Sequence, residues 1–148
     1  MPPILVDTNV LVYYYDHNSP EKQERADLVL NCLRETGLGC LSTQNLAEFV
    51  NAARRKLDPP LTAAEAFEQV SLFASSWPVF DLTPQIVLEA ARGVRDHGLA
   101  YYDAQIWAAA RLNQIPIIFS EDFQDGRILE GVRFANPFSQ TFDLEAWL

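Results

Sequence analysis

Lysine, cysteine and histidine are scarce in this chain, and long hydrophobic runs are missing. Lys22 and Lys56 are the only lysines, and eleven basic residues face twenty acidic ones for a formal net charge of −9. That balance excludes a broad basic face for gripping nucleic acid. It leaves room for a small acidic cleft that gains positive charge with a metal ion, and it suits a basic peptide partner. Cys32 and Cys40 lie in apolar surroundings without metal-ligand spacing, so two reduced core thiols in a cytoplasmic protein are expected. His17 and His97 fall at helix ends without a ligand pattern, which points to surface or C-capping roles. No apolar stretch approaches a membrane span. The start of the chain reaches Asp7 without a basic n-region or an apolar h-region, so no signal peptide and no membrane partner are expected. Serine-nucleophile motifs, a Walker A loop and a dinucleotide glycine pattern are all lacking.

What is present is a normal globular composition, 49% hydrophobic over 148 residues, enough for one domain with a real core across 1–148. Ile4-Leu5-Val6 reads as a buried strand ending at Asp7, followed by a short helix from Thr8. Ser19-Pro20 starts a second helix, with Ala26, Val29, Leu30 and Leu33 on its apolar face and Gly37 at its end. Gly39 to Ser42 reads as a strand leading into the helix TQNLAEFVNAARRK. Asp58-Pro59-Pro60 separates that helix from the next, which a Thr62–Glu65 capping box opens. Pro78-Val79-Phe80 is a third strand, and Thr83-Pro84 caps a helix ending near Gly98. YYDAQIWAAARLNQ is apolar nearly all round and predicts a buried helix. Pro116 to Phe119 is a fourth strand, and Val132-Arg133-Phe134 a fifth at the edge. Such alternation predicts an α/β three-layer sandwich, a parallel sheet of four to five strands with helices on both faces. Right-handed crossovers then bring all the strand C-termini to one edge.

Four carboxylates stand where apolar runs end: Asp7, Glu48, Asp103 and Asp122. In an open α/β sheet such positions share a crevice. Acids gathered there suit hard divalent cations, and with them cleavage of a phosphodiester. Each also has a plainer reading. Asp7 is placed to be a helix N-cap, with Asn9 two residues on able to orient it. Glu48 lies on a polar stripe with Gln44, Asn51 and Arg55, where a glutamate on its own is expected to be solvated. Asp103 shares a face with Trp107 and Ala110 on a helix with almost no polar side. An acid there must be capped, paired or metal-bound, although first-turn stabilisation of the helix remains open. Asp122 follows a strand in Ser120-Glu121-Asp122, with Glu121 expected to point away by alternation and Asp125-Gly126 to form a turn. Arg54-Arg55-Lys56 could meet phosphate or simply complement a helix C-terminus, and Arg92, Arg95 and Arg127 are further candidates. Tyr13, Tyr14 and Tyr15 are expected in core packing, with an exposed aromatic contact as the alternative. A phosphotransfer receiver would need a lysine after a late strand, and a haloacid-dehalogenase-like phosphatase an Asp where Asn9 stands; both readings fail.

With DTNVLVYYYD, QNLAEFVN, YYDAQIWAAA and FSEDFQDGRIL followed by GVRFANPF, the chain resembles a PIN domain along essentially its whole length. More closely it resembles the VapC-type toxins of prokaryotic type II toxin–antitoxin pairs. The resemblance implies a Mg²⁺- or Mn²⁺-dependent endoribonuclease acting on structured RNA such as tRNA or rRNA. In it Asp7, Glu48, Asp103 and Asp122 would be the metal-binding acids, and Asn9 and Ser120 the residues supporting them. Ser120 stands where such proteins often have threonine, which keeps the hydroxyl. A homodimer and an antitoxin with a basic C-terminal tail are implied too. The alternative is a PIN-like binding module that acts only through its protein partner. A structure-specific DNA nuclease would need more basic surface.

Overall fold

The computed structural model describes residues 2–148. Six strands form one sheet: β1 (Ile4–Val6), β2 (Gly39–Ser42), β3 (Val79–Phe80), β4 (Ile117–Phe119), β5 (Ile128–Leu129) and β6 (Val132–Ala135), in the order β3-β2-β1-β4-β6-β5. All neighbours are parallel except β5 and β6. Val132 to Phe134 is therefore not the edge. Glu130 (φ 47°) and Gly131 (φ 84°) fold a two-residue hairpin that adds β5 outside it. Positive φ at both central positions is the hairpin turn that matches strand twist, but Glu-Gly is a weak signal for it beside Asn-Gly or Asp-Gly.

The helices are α1 (Thr8–Tyr13), α2 (Pro20–Thr36), α3 (Thr43–Arg55), α4 (Ala63–Ser76), α5 (Pro84–His97) and α6 (Tyr101–Leu112), each beginning where sequence signals place it. The capping boxes at Ser42–Asn45 and Thr62–Glu65 are both formed. Ser19 occupies its N-cap position without a side-chain bond, so Pro20 and the first-turn Glu21 carry that start.

Side-chain alternation splits the core in two. Leu5, Cys40 and Ile118 face α5 and α6, with Trp107 and Phe134 at the centre of that layer. Ile4, Val6, Leu41, Ile117 and Phe119 face α1, α2 and α3, joined by Trp77 and the chain after Asn136. That last segment ends in a 3₁₀ turn, Leu144–Trp147, and lays Phe142 and Trp147 edge-on against Phe119. Cys40 is buried, but Cys32 is only half-buried, beside the Val29–Leu33 stripe rather than in it. Tyr13, Tyr14 and Tyr15 are half-buried and pack on Phe138, on one another and on Phe49.

Chain order places the site. β1 lies at the centre with β2 on one side and β4 on the other, the point where an open sheet changes winding direction and leaves a crevice. Val6 is in register with Phe119. The next residue of each strand, Asp7 and Ser120, therefore emerges side by side.

Candidate functional site: an acidic cleft at the strand ends

Asp7, Glu48, Asp103 and Asp122 line one cleft of about 490 Å³, with Thr8, Asn9, Tyr13, Lys56, Tyr102 and Glu121 among its other walls. Asp7 is its buried floor. Its Oδ1 accepts from the Thr8 amide (2.7 Å), which makes it the N-cap of α1, and its Oδ2 accepts from the Ser120 hydroxyl (2.7 Å). The plain and the functional readings of Asp7 thus coincide in one side chain.

Asn9 ties the floor to the rim. Its Nδ2 donates to Asp122 Oδ2 and to Ser120 Oγ, both at 3.2 Å. The Ser120 hydroxyl also accepts from the Asp122 amide (3.1 Å). A buried serine and a half-buried asparagine therefore fix two carboxylates from opposite ends of the chain.

Glu48 is half-buried rather than freely solvated, and both of its carboxylate oxygens are held. Thr8 Oγ1 donates to its Oε2 (3.1 Å) and Gln44 Nε2 to its Oε1 (2.8 Å). Behind it runs a relay: Tyr101 hydroxyl to Gln105 (2.8 Å), Gln105 to Gln44 Oε1 (2.9 Å), and Gln44 also to the Tyr102 carbonyl (3.0 Å). Of the polar stripe of α3, Gln44 and Glu48 face this relay, while Asn51 and Arg55 stay exposed. Asp103, half-buried on the first turn of α6, has the helix N-terminus in its favour. Trp107 and Ala110, on the same face, are fully buried.

The charges work against one another. Burial above all pushes Asp7 up to about 7, with Asp122 and Glu48 adding to the rise and the Ser120 and Thr8 hydrogen bonds opposing it. Asp103 is also raised, by burial first and then by Asp122 and Glu48. Lys56 is the only cation among the cleft-lining residues. Among the described residues no three His, Cys, Asp or Glu side chains stand close enough to hold a metal ion as they are. The donor set itself, oxygen throughout and short of compensating charge, fits a hard divalent cation in kind.

Glu121 departs from expectation. It lines the cleft, accepting from the Tyr13 hydroxyl (2.7 Å) and pairing with Lys22 (2.9 Å). The backbone bends after Ser120, so strand alternation no longer applies there. Arg92 and Arg95 do not line the cleft. Arg92 pairs with Glu89 (2.5 Å), Asp96 (3.3 Å) and Glu130 (2.9 Å), and Arg95 with Asp96 (2.7 Å). His97 caps nothing; it meets Glu130 at 2.7 Å in the same network. Arg127 is also absent from the cleft lining. Sequence reasoning missed Thr8, Gln44, Asn45 and Gln105. The one available signal was polarity at apolar positions: Gln105 on an otherwise apolar helix, and Asn45, fully buried, within the Ser42 capping box.

A mainly parallel sheet with helices on both faces and acids at its winding switch defines an α/β protein with an acidic cleft. A family model for the PIN domain matches residues 4–125, and the chain belongs to that family. No protein of curated function matches the sequence. Solved structures with the same fold include a toxin–antitoxin complex from Klebsiella pneumoniae (TM-score 0.66, 16% identity, 90% of this chain and 97% of that one). DNA-bound VapBC from Salmonella typhimurium is similar (0.65, 19%, 93% and 99%). So is VapC20 of Mycobacterium tuberculosis, described as a sarcin–ricin loop cleaving toxin (0.61, 18%, 88% and 98%).

Proposed function

We propose that this protein is a divalent-metal-dependent endoribonuclease and the toxin of a type II toxin–antitoxin pair. The single observation that carries the reading is the convergence of Asp7, Glu48, Asp103 and Asp122 on one cleft at the switch point of a PIN fold.

Asp7, Asp103, Asp122 and Glu48 would hold Mg²⁺ or Mn²⁺, which when bound activates water and neutralises charge at the phosphate. Ser120 and Asn9 orient Asp7 and Asp122, and Thr8 and Gln44 orient Glu48. Holding acids in fixed directions matters because partners behind a metal ligand set its basicity and aim. The buried floor around Asp7 keeps bulk water from its carboxylate and strengthens electrostatic interactions there.

Structured RNA such as tRNA or rRNA is the proposed substrate, in the cytoplasm. No helix among the described residues is long and apolar enough to cross a membrane. A cognate antitoxin with a basic C-terminal tail suits an acidic cleft on a chain of charge −9. A homodimer is proposed as the assembled toxin. The rival reading, a non-catalytic module acting through its partner, draws on Phe67, Leu72, Leu82, Leu88 and Val94, apolar side chains left exposed on α4, on α5 and just before it.

The test is cleavage of total cellular RNA by the purified chain with Mg²⁺, with EDTA, and beside an Asp103→Asn protein. Discrete fragments only from the parent protein with Mg²⁺ are expected. No fragments from folded protein under Mg²⁺ or Mn²⁺ would favour the binding module.

A further inference from the structure

Beyond the four carboxylates, Tyr102 and Lys56 also line the cleft, and neither side chain holds or orients an acid. Tyr102 immediately precedes Asp103 on the first turn of α6, yet it is 66% exposed. Exposure of a large aromatic within a cleft is unusual among this chain's tyrosines. The hydroxyls of Tyr13, Tyr15 and Tyr101 each donate to a carboxylate or amide oxygen. Among the described residues those of Tyr14 and Tyr102 bond to nothing, and of the two only Tyr102 lines the cleft.

Its mount is nonetheless rigid. Gln44 Nε2 donates to the Tyr102 carbonyl (3.0 Å), and the Tyr101 ring packs edge-to-face against it, with centroids 5.2 Å apart and planes at 82°. Tyr101 is in turn fixed by Gln105. An aromatic ring held from behind and open at the cleft matches what stacking requires, since every nucleobase has a π-face and a pre-ordered ring loses little freedom on binding.

Lys56 supplies the charge. It caps the C-terminus of α3, two turns beyond Glu48 and so about 12 Å further along the axis. It makes no ion pair among the described residues. The chain's other lysine, Lys22, is occupied by Glu121 and Tyr13. Lys56 is thus the one lysine available to a polyanion entering an otherwise acidic cleft.

We propose that Tyr102 is the stacking platform for an unpaired base beside the carboxylates, and that Lys56 anchors a neighbouring phosphate of the same strand. The inference rests on reading the cleft as a nuclease site. It assigns positioning to residues that bind nucleic acid rather than metal.

The experiment measures binding of a fluorescently labelled, single-stranded oligoribonucleotide of mixed sequence by anisotropy, in Mg²⁺. It uses an Asp7→Asn background, in which cleavage should be silent. Tyr102→Ala should weaken binding roughly 5- to 150-fold, while Tyr102→Phe, which keeps the ring, should stay within about twofold. Lys56→Gln should weaken binding and lower the slope of log affinity against log salt by about 0.7, one phosphate contact on a single strand. Equal binding by Tyr102→Ala and its parent would overturn the assignment. So would a parent that binds no oligoribonucleotide, or loss of binding by Tyr102→Ala to a labelled oligoarginine peptide alone, which would place Tyr102 in a protein contact. A protein that binds RNA through Tyr102 but never cuts it keeps this inference and fails the nuclease reading. One that cuts RNA without needing Tyr102 does the reverse.

Discussion

The Ser120 hydroxyl donates to Asp7 Oδ2 at 2.7 Å across 113 residues of chain, each residue being the first beyond a central parallel strand. That bond lowers the cost of a carboxylate on Asp7 while burial raises it. Ser120→Ala should remove the donor and the shared acceptor of Asn9 and the Asp122 amide at once. If the acids hold metal, the Mg²⁺ concentration for half-maximal RNA cleavage should rise, or activity fall, by about 10- to 100-fold. Ser120→Thr, which keeps the hydroxyl, should stay near the parent. Titrating cleavage against Mg²⁺ for the three proteins checks this.

Asp7 makes the metal-free protein sensitive to pH. Its ordinary value is 3.8 and its folded value about 7, so between these limits the folded state holds a proton that the unfolded state has lost. The contribution is fully present below about pH 4 and is lost as pH rises through 7. It amounts to no more than about 4 kcal/mol. In EDTA, Asp7→Asn should therefore melt higher than the parent near pH 8, by about 2–4 °C for each kcal/mol relieved, with the gap closing towards pH 4. Melting curves across that range decide it, and a parent whose stability climbs between pH 4 and 8 relative to Asp7→Asn would contradict the burial argument.

Glu48 depends on Thr8 and on the relay behind Gln44. Thr8→Val keeps the side-chain shape and removes the 3.1 Å bond, and Gln105→Leu cuts the relay where Tyr101 and Gln44 meet it. Gln105→Leu leaves the Tyr101 hydroxyl and the Gln44 carbonyl oxygen without their partners, at a cost of about 1–3 kcal/mol. Chemical denaturation should show that loss. Cleavage by Thr8→Val should fall while its stability changes by less.

The two thiols should react unequally. Burial pushes Cys40 up to about 12, and its Sγ–H points at the Ile4 carbonyl (3.4 Å). Cys32 is half-buried near the surface of α2. Brief alkylation of native protein at pH 8 should modify Cys32 alone by mass spectrometry, with Cys40 labelled only after denaturation.

Gly39 opens β2 because nothing larger fits. A Cβ there would stand 2.1 Å from the Trp77 ring and 2.9 Å from Leu33 Cβ. Gly39→Ala should cost at least about 1–3 kcal/mol by overpacking, measured by denaturant unfolding, although the backbone there needs no glycine conformation.

Local chemistry made much of the fold legible. Proline at the start of α2 and α5, the Thr62–Glu65 box and glycine after α2 and α5 act within a few residues, so their effects can be read in order along the chain. The apolar runs of β1, β2 and β4 and the burial of α6 followed from hydrophobic periodicity for the same reason. The β5 edge escaped notice because two residues and a Glu-Gly turn carry almost no pattern.

For the cleft the division is sharper. The sequence by itself determined which acids follow strands or begin helices, and hence that Asp7, Asp103 and Asp122 could share an edge. Only the tertiary structure decided that Glu48 is held by Thr8 and Gln44, that Glu121 turns inward to Tyr13 and Lys22, and that Arg92 is consumed by Glu89, Asp96 and Glu130. Those outcomes depend on partners 38 to 108 residues away in several cases. Periodicity specifies the face a side chain takes on its own element, whereas the charge it meets is set by which elements the sheet order places beside it.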